Sequence, residues 1–534
     1  MHIKSINNIE IFRPDEEAES FVHKKVRSKL LTKFKAKRYT ESKEITKIIN
    51  FHFSTYKNLL DEHIRLLASR GFVEFLCFQY DQYALVETEH KAQNLSQEDE
   101  EYWQRYGILA RRGIKYLLEA CACLAIKEMN PNISKTKMKD SLSKIFIIAE
   151  ELVNLYIESD QTHILFPDIT ILEINDEDYN YFNLTLDPKP DWNFDIREDT
   201  NKRPTIVGTV NMTNDLEIHN EILAKSFINQ FGIDYHTVIY ALSGLINNTV
   251  TVPDGLPVCF IKYDDLVLRF SEQFKIDSSK TKKILAGFTL DPKKMINEQR
   301  EVFSPKQEYR ALRRGFFLYP HDNGDHLLFS KSLAKESLIQ LLHDVIYKKL
   351  PPEWMSKDVH KDLEKLSNKA GSWFERLIAK KLNELGLPAL CSVKRLKFLN
   401  DKLIYIPSEV GEIDVLAYSE IDRTLIVIEC KLVRPATEPK FYRNDLHSFI
   451  HSKKSYEKKF KKKYKWVHEN FDIVSEFVTE KLSLNSKPTR LGYAMVTYYP
   501  SVAEHFINDF SCISIVDLIE NCKQKEWSFT GTDI

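Results

Sequence analysis

The nine residues TLIVIECKL, Thr424–Leu432, constrain this chain more than any other stretch. Written as a strand, they alternate: Leu425, Val427, Glu429 and Lys431 share one face, and Ile426, Ile428, Cys430 and Leu432 the other. Both faces begin apolar, which marks a strand covered on both sides, as at the centre of a layered α/β sheet. Ending such a strand with Glu429 and Lys431 on one face is unfavourable unless those charges are paired or bind something. Just upstream, GEIDVLAY (Gly411–Tyr418) reads as the neighbouring strand, joined through the short polar turn Ser419–Arg423. Asp414 holds the comparable position there. Two carboxylates and one ammonium at adjacent strand ends make a cation site with a built-in base or water-orienting group. Carboxylate oxygens with water suit Mg²⁺ or Mn²⁺.

The flanking sequence extends this pattern. GSWFERLIAKKLNELG (371–386) puts Phe374, Leu377, Ile378, Leu382 and Leu385 on one helical face and stops at Gly386. Strand-like runs at Cys391–Leu399 and Leu403–Ile406 come before the pair. Leu491–Tyr498 and Ile513–Val516 follow it, with Asp517–Glu520 as a helix start. After Pro435–Pro439, the residues FYRNDLHSFIHSKKSYEKKFKKKYKWV predict one amphipathic helix with Leu446, Phe449, Ile450, Tyr456, Phe460, Tyr464 and Val467 inward. Its other face carries eight lysines between Lys453 and Lys465 against one acid, Glu457. Such runs are ordinarily solvated surface. Here the helix follows the charged strand directly, so Lys453, Lys454, Lys458, Lys459, Lys462 and Lys465 are candidate phosphate contacts. His451 and Glu412 are secondary candidates, with plainer readings as a surface imidazole and a rim carboxylate.

Asp414, the fifteen-residue step to Glu429, then Cys430 and Lys431, together with Gly371-x-x-Phe374-Glu375, resemble the PD-(D/E)XK nuclease superfamily over residues 365–520. The family's Pro before the Asp is replaced by Ile413. The resemblance implies a restriction-endonuclease-like fold, with Mg²⁺ or Mn²⁺ held by Asp414, Glu429, the Cys430 backbone carbonyl and Glu375. Lys431 would orient or deprotonate the attacking water. The implied reaction is endonucleolytic hydrolysis of phosphodiester bonds, in DNA rather than RNA. By analogy of layout alone, a restriction or anti-phage defence effector is implied. A repair or junction-resolving nuclease and a non-catalytic nucleic-acid-binding module are the alternatives. An intact D…E-x-K set argues against the last.

The chain of 534 residues is too long for one hydrophobic core. With 43% hydrophobic and 29% charged residues, its composition fits folded globular domains. Three are expected: 1–190, mainly helical; 200–350, helical or mixed; and 352–534, an α/β nuclease domain with a central mixed β-sheet flanked by helices. Pro351-Pro352 marks one boundary, and the Asp, Pro and Asn cluster at 184–204 another. Within 200–350, segments 227–245 and 270–288 align at an offset of 43, with seven identities in nineteen positions. Each reads as a helical hairpin capped by Asp234 or Asp277, either a packed pair or two nucleic-acid-touching helix-turn-helix units.

The first 350 residues resemble no family. Recognition of substrate, partner protein or signal, or homo-oligomerisation, is open to them. Eight scattered cysteines contain no CxxC pair, which fits reduced thiols in a cytoplasm; Cys121 and Cys123 read as core. No P-loop motif occurs among only 15 glycines, which argues against an ATPase motor. Early charge in residues 2–12 and no apolar run of membrane-spanning length lead to the expectation of neither signal peptide nor membrane partner.

Overall fold

Helices forming wherever apolar residues recur every three or four positions dominate the computed structural model. It describes residues 2–67, 69–124, 134–177, 180–190, 196–249, 258–291, 309–320, 323–436, 439–526 and 529–533. Parts of the expected 184–204 boundary (191–195) and of the Pro435–Pro439 stretch (437–438) lie outside the described residues. The protein is mixed α/β. It divides into two compact units: 1–190 with 219–345 and 349–362, and 191–218 with 346–348 and 363–534. The regions read as separate domains at 1–190 and 200–350 thus largely share one unit, while 191–218 belongs with the C-terminal residues.

The first unit opens with a β-hairpin, His2–Ile6 and Ile9–Arg13, turned by Asn7 and Asn8 at φ 47° and 64°. Two consecutive left-handed residues match the twist of a tight hairpin, and Asn tolerates that conformation. This strand pair is absent from the mainly helical reading of residues 1–190. Long helices follow, among them Glu16–Lys33, Ser42–Leu67, Arg70–Lys91 and Lys135–Ser159, around a core that includes Ile45, Leu59, Leu76, Leu117 and Ile148. Cys121 lies inside that core, and Cys123 is half-buried. Arg13 is buried among these helices and pairs with both oxygens of Glu150, at 2.6 and 3.1 Å.

The two similar segments form helical hairpins, Leu216–Phe231 with Tyr235–Asn248 and Tyr263–Phe274 with Ser278–Gly287. Asp234 accepts the Thr237 N–H at 2.7 Å; Asp277 accepts those of Ser279 and Lys280, both at 3.1 Å. Gly232 and Lys275, at matching positions, both turn left-handed, with φ 85° and 52°. The shared sequence therefore carries a shared cap and a shared turn. Phe227, Phe231 and Phe270 are buried.

In the second unit, α1 is Ile196–Val207 and α2 is Lys357–Glu384, whose first residues count with the other unit. Strands β1 (Ala389–Val393), β2 (Ile413–Ser419) and β3 (Thr424–Lys431) come next. Helices α3 (Pro439–Leu446), α4 (Tyr456–Glu469) and α5 (Phe471–Lys481) lead to β4 (Arg490–Thr497) and β5 (Ser511–Ser514). Helix α6 (Ile515–Gln524) and β6 (Thr530–Asp533) complete it. The sheet order is β1-β2-β3-β4-β5, with β6 also on β4. The pairs β1-β2 and β2-β3 are antiparallel; β3-β4 and β4-β5 are parallel, with Glu429 beside Met495 and Lys431 beside Thr497.

Helices cover both sheet faces, as the doubly apolar strand requires. Leu416, Leu425, Val427 and Met495 pack with Phe460, Val467, Val474 and Val478 of α4 and α5. On the other face, Val415, Ile426, Ile428 and Val496 pack with Phe374, Ile378 and Leu518 of α2 and α6, and with Ile206 of α1. α2 ends as its glycine suggests: Gly386 is left-handed (φ 78°), and the Leu387 N–H reaches back to the Leu382 carbonyl at 2.9 Å. The predicted strand Ile513–Val516 is divided, with Ser514 ending β5 and Ile515 opening α6.

Candidate active site

β2 and β3 hold their ladder from Ser419↔Thr424 to Val415↔Ile428. One position further, side chains take over from backbone pairing: the Cys430 N–H donates to Asp414 Oδ2 at 2.8 Å. That bond locks the Asp414 carboxylate across the strand end. Glu429, on the neighbouring strand, points to the same face, which α4 covers. Asp414 and Glu429 are only 8% and 3% exposed, so each needs a partner.

Two ammonium groups supply the partners. Lys431 Nζ lies 2.5 Å from Glu429 Oε1 and 5.1 Å from the centre of the Tyr456 ring, at the start of α4. Lys463, about two turns further along α4, sends its Nζ between the carboxylates, 2.8 Å from Asp414 Oδ1 and 2.5 Å from Glu429 Oε2. Two carboxylates thus face two ammoniums in a buried cluster. Burial works against the charged form of Glu429, but Lys431 and Lys463 outweigh it and hold its carboxyl below the usual range. Burial, with Glu429 adding to it, lifts Asp414 instead. Lys431 and Lys463 are both raised: burial alone would lower them, and the carboxylates prevail.

Glu375 approaches from α2. Its Oε2 accepts a hydrogen bond from the Ser392 hydroxyl at 2.8 Å, and burial, followed by the field of Asp414, raises its carboxyl. The Cys430 thiol is buried and pushed well up. Glu412 pairs with Lys394 at 3.5 Å, and His451 is exposed.

Lys463 is the residue that sequence reasoning missed. The lysine run predicts one continuous solvent face on one continuous helix. Instead α3 passes into a π-turn at His447–His451, and the chain restarts at α4 with Ser455 accepting the Lys458 N–H at 3.3 Å. Lys453 and Lys454 lie in the intervening turn. Lys458, Lys459, Lys462 and Lys465 are exposed on α4, as are Lys453 and Lys454 before it. Lys463 falls three residues after buried Phe460 and four before buried Val467, squarely on the inward stripe. That spacing is readable in the sequence.

The donor set bears directly on a metal. Asp414 Oδ1 and Glu429 Oε2 converge on one point, as ligands of a hard cation must, and carboxylate oxygens are the right kind. Lys463 Nζ stands at that point. Among the described residues, no group of three or more His, Cys, Asp or Glu side chains is gathered closely enough to hold an ion. Asp414 and Glu429 therefore fit a divalent ion in chemistry, with water completing the shell, once the ammonium gives way. No family model, curated protein or solved structure matches this chain.

Proposed function

We propose that the second unit is a metal-dependent nuclease of restriction-endonuclease-like fold that hydrolyses phosphodiester bonds, DNA being the first candidate substrate. The observation that carries this reading is the convergence of Asp414, Glu429 and Lys431 at adjacent strand ends, on the face covered by α4. The mixed sheet, antiparallel over β1-β2-β3 and parallel over β3-β4-β5, with helices on both faces, supports this reading, since the motif resemblance implies a central mixed sheet flanked by helices.

In this reading Asp414 and Glu429 would hold Mg²⁺ or Mn²⁺, which would supply charge stabilisation in the transition state. The Cys430 N–H fixes the angle of Asp414, so one of its oxygens stays directed at the shared point. Lys431, steadied by Glu429 and the Tyr456 ring, orients the attacking water and offsets charge on the scissile phosphate. Glu375, held by Ser392, adds a carboxyl at the edge of the site. The exposed lysines of α4 and the preceding turn offer contacts to backbone phosphates. A restriction or defence role, and a part for the first unit in recognising substrate, partner or signal, extend the same proposal.

Incubating the purified protein with plasmid, linear and single-stranded DNA and with RNA, in Mg²⁺ or in EDTA, tests it. Cleavage that needs Mg²⁺ and is lost in Asp414→Ala is expected; undiminished cleavage in excess EDTA would sink the assignment. One observation favours a second reading, a non-catalytic nucleic-acid-binding module: Lys463 already neutralises the carboxylates. Binding without cleavage of any of these substrates would select it.

A further inference from the structure

We infer that Lys463 and the divalent cation of this site exclude one another, so that Lys463 is an internal counter-ion that must withdraw before the metal binds. The inference rests on the cation site proposed above, and concerns how that site is loaded. Lys463 Nζ is 2.8 Å from Asp414 Oδ1 and 2.5 Å from Glu429 Oε2. Mg²⁺ on those oxygens would lie about 2.0–2.1 Å from each. Both positions lie between the same two atoms, so ion and ammonium cannot share them. The ammonium is also a cation in a poorly hydrated place, where its repulsion with a second cation is weakly screened.

The placement of Lys463 is particular to it. Its neighbours Lys459, Lys462 and Lys465 are exposed, whereas Lys463 is 8% exposed and lies on the stripe of Phe460 and Val467. Without it, the buried pair Asp414 and Glu429 would face Lys431 alone. Lys463 therefore supports the metal-free fold while lowering affinity for the ion. The population with Lys463 withdrawn sets the apparent affinity, which falls in proportion to that fraction. Because Lys463 is carried on α4, displacement by a metal also alters how the helix that bears the exposed lysines is anchored.

The test is calorimetric titration of Mn²⁺ into the full chain, comparing wild type, Lys463→Met and Asp414→Ala. Methionine keeps an unbranched stem in the inward stripe and removes the charge. If the withdrawn population is a tenth or less, Lys463→Met binds Mn²⁺ about tenfold tighter or more. Asp414→Ala should lose binding. Equal or weaker affinity in Lys463→Met, with binding still lost in Asp414→Ala, overturns the exclusion and leaves the cation site standing. No Mn²⁺ binding by wild type or by Lys463→Met overturns both. Should Lys463→Met fail to fold, wild type decides the matter through acylation of lysines, read residue by residue by mass spectrometry. Labelling of Lys463 should rise on adding Mn²⁺ and stay low in Asp414→Ala. Unchanged labelling at saturating Mn²⁺ overturns the exclusion.

Discussion

In the first unit, Arg13 meets Glu150 through two guanidinium nitrogens in a helical core, and Tyr83 closes the remaining side at 3.5 Å. In the second, Asp414 and Glu429 meet Lys431 and Lys463 at the ends of two strands. Both arrangements take charge out of water, but their geometry differs. The planar fork of Arg13 grips one carboxylate through two nitrogens, so the ion pair is fixed in number and direction. Lysine ammoniums are compact point charges on flexible stems, and another cation can replace one of them. A third carboxyl sharpens the contrast. Asp445 of α3 is bonded to the Ser501 hydroxyl at 2.9 Å, and burial pushes it up to about 7. Charge taken out of water is thus met by a locked fork, by exchangeable point charges, or, at half-buried Asp445, by a carboxyl that holds its proton to higher pH. Only the second suits an ion site.

The largest expected effect separates function from scaffold. Asp414→Ala, Glu429→Ala and Lys431→Ala should each reduce metal-dependent cleavage per folded molecule by orders of magnitude, whatever stability the loss of a buried partner costs. Double variants should be scarcely worse than singles, since any one loss disables the unit. Glu375→Ala should be milder. Wild-type turnover in Lys431→Ala would mean that the strand-end cluster is as structural as Arg13–Glu150.

Glu150→Ala should do the reverse. It strands Arg13 in the core and should cost about 3–5 kcal/mol of stability, measured by denaturant unfolding, with cleavage per folded molecule unchanged. A loss below about 1 kcal/mol would reduce the pair to the worth of a surface ion pair.

Asp445 predicts a pH dependence. Its folded-state value, about 7, lies above the ordinary 3.8, so the stability it contributes is complete below the latter and is lost as pH rises toward 7. Asp445→Asn should flatten the stability profile across that window. An unchanged slope would mean that Asp445 is ionised and paired like the strand-end carboxylates.

The smallest effect belongs to the exposed lysines. Neutralising Lys458, Lys462 and Lys465 in the Asp414→Ala background should weaken binding to all DNA sequences alike. The plot of log affinity against log salt should flatten by about 0.9 for each phosphate that a lysine no longer neutralises. An unchanged slope would return these three side chains to plain solvation.

Much of the candidate site was legible because its signals are local. Alternation in TLIVIECKL set the face of Glu429 and Lys431, and the hairpin length brought Asp414 opposite them. Gly386 announced the end of α2. What escaped depends on context or on several signals at once. Lys463 was hidden by its like-charged neighbours, although its spacing from Phe460 and Val467 marked it as inward. The break between α3 and α4 has no proline or glycine between Leu446 and Tyr456 to announce it, only serines of which Ser455 is the cap. Asn7-Asn8 carried a turn signal between short strands that the helical pattern around them obscured. The membership of 191–218 in the second unit was beyond local reading, because the side chains that decide it meet partners hundreds of residues away.

That last feature bears on the order in which the chain becomes foldable. Arg203 of α1 pairs with Asp199, donates to the Tyr498 carbonyl and stacks 4.1 Å over the Tyr499 ring; Lys202 reaches Glu520 at 2.8 Å. A ribosome releases α1 long before Tyr498 or Glu520 exist. This helix, with Arg203 met only by Asp199 of its own turn, must therefore wait for those partners until the chain has been made past Glu520. For the same reason no single cut frees the second unit: a fragment begun at the Pro351-Pro352 break would leave Tyr498 and Tyr499 without their cover.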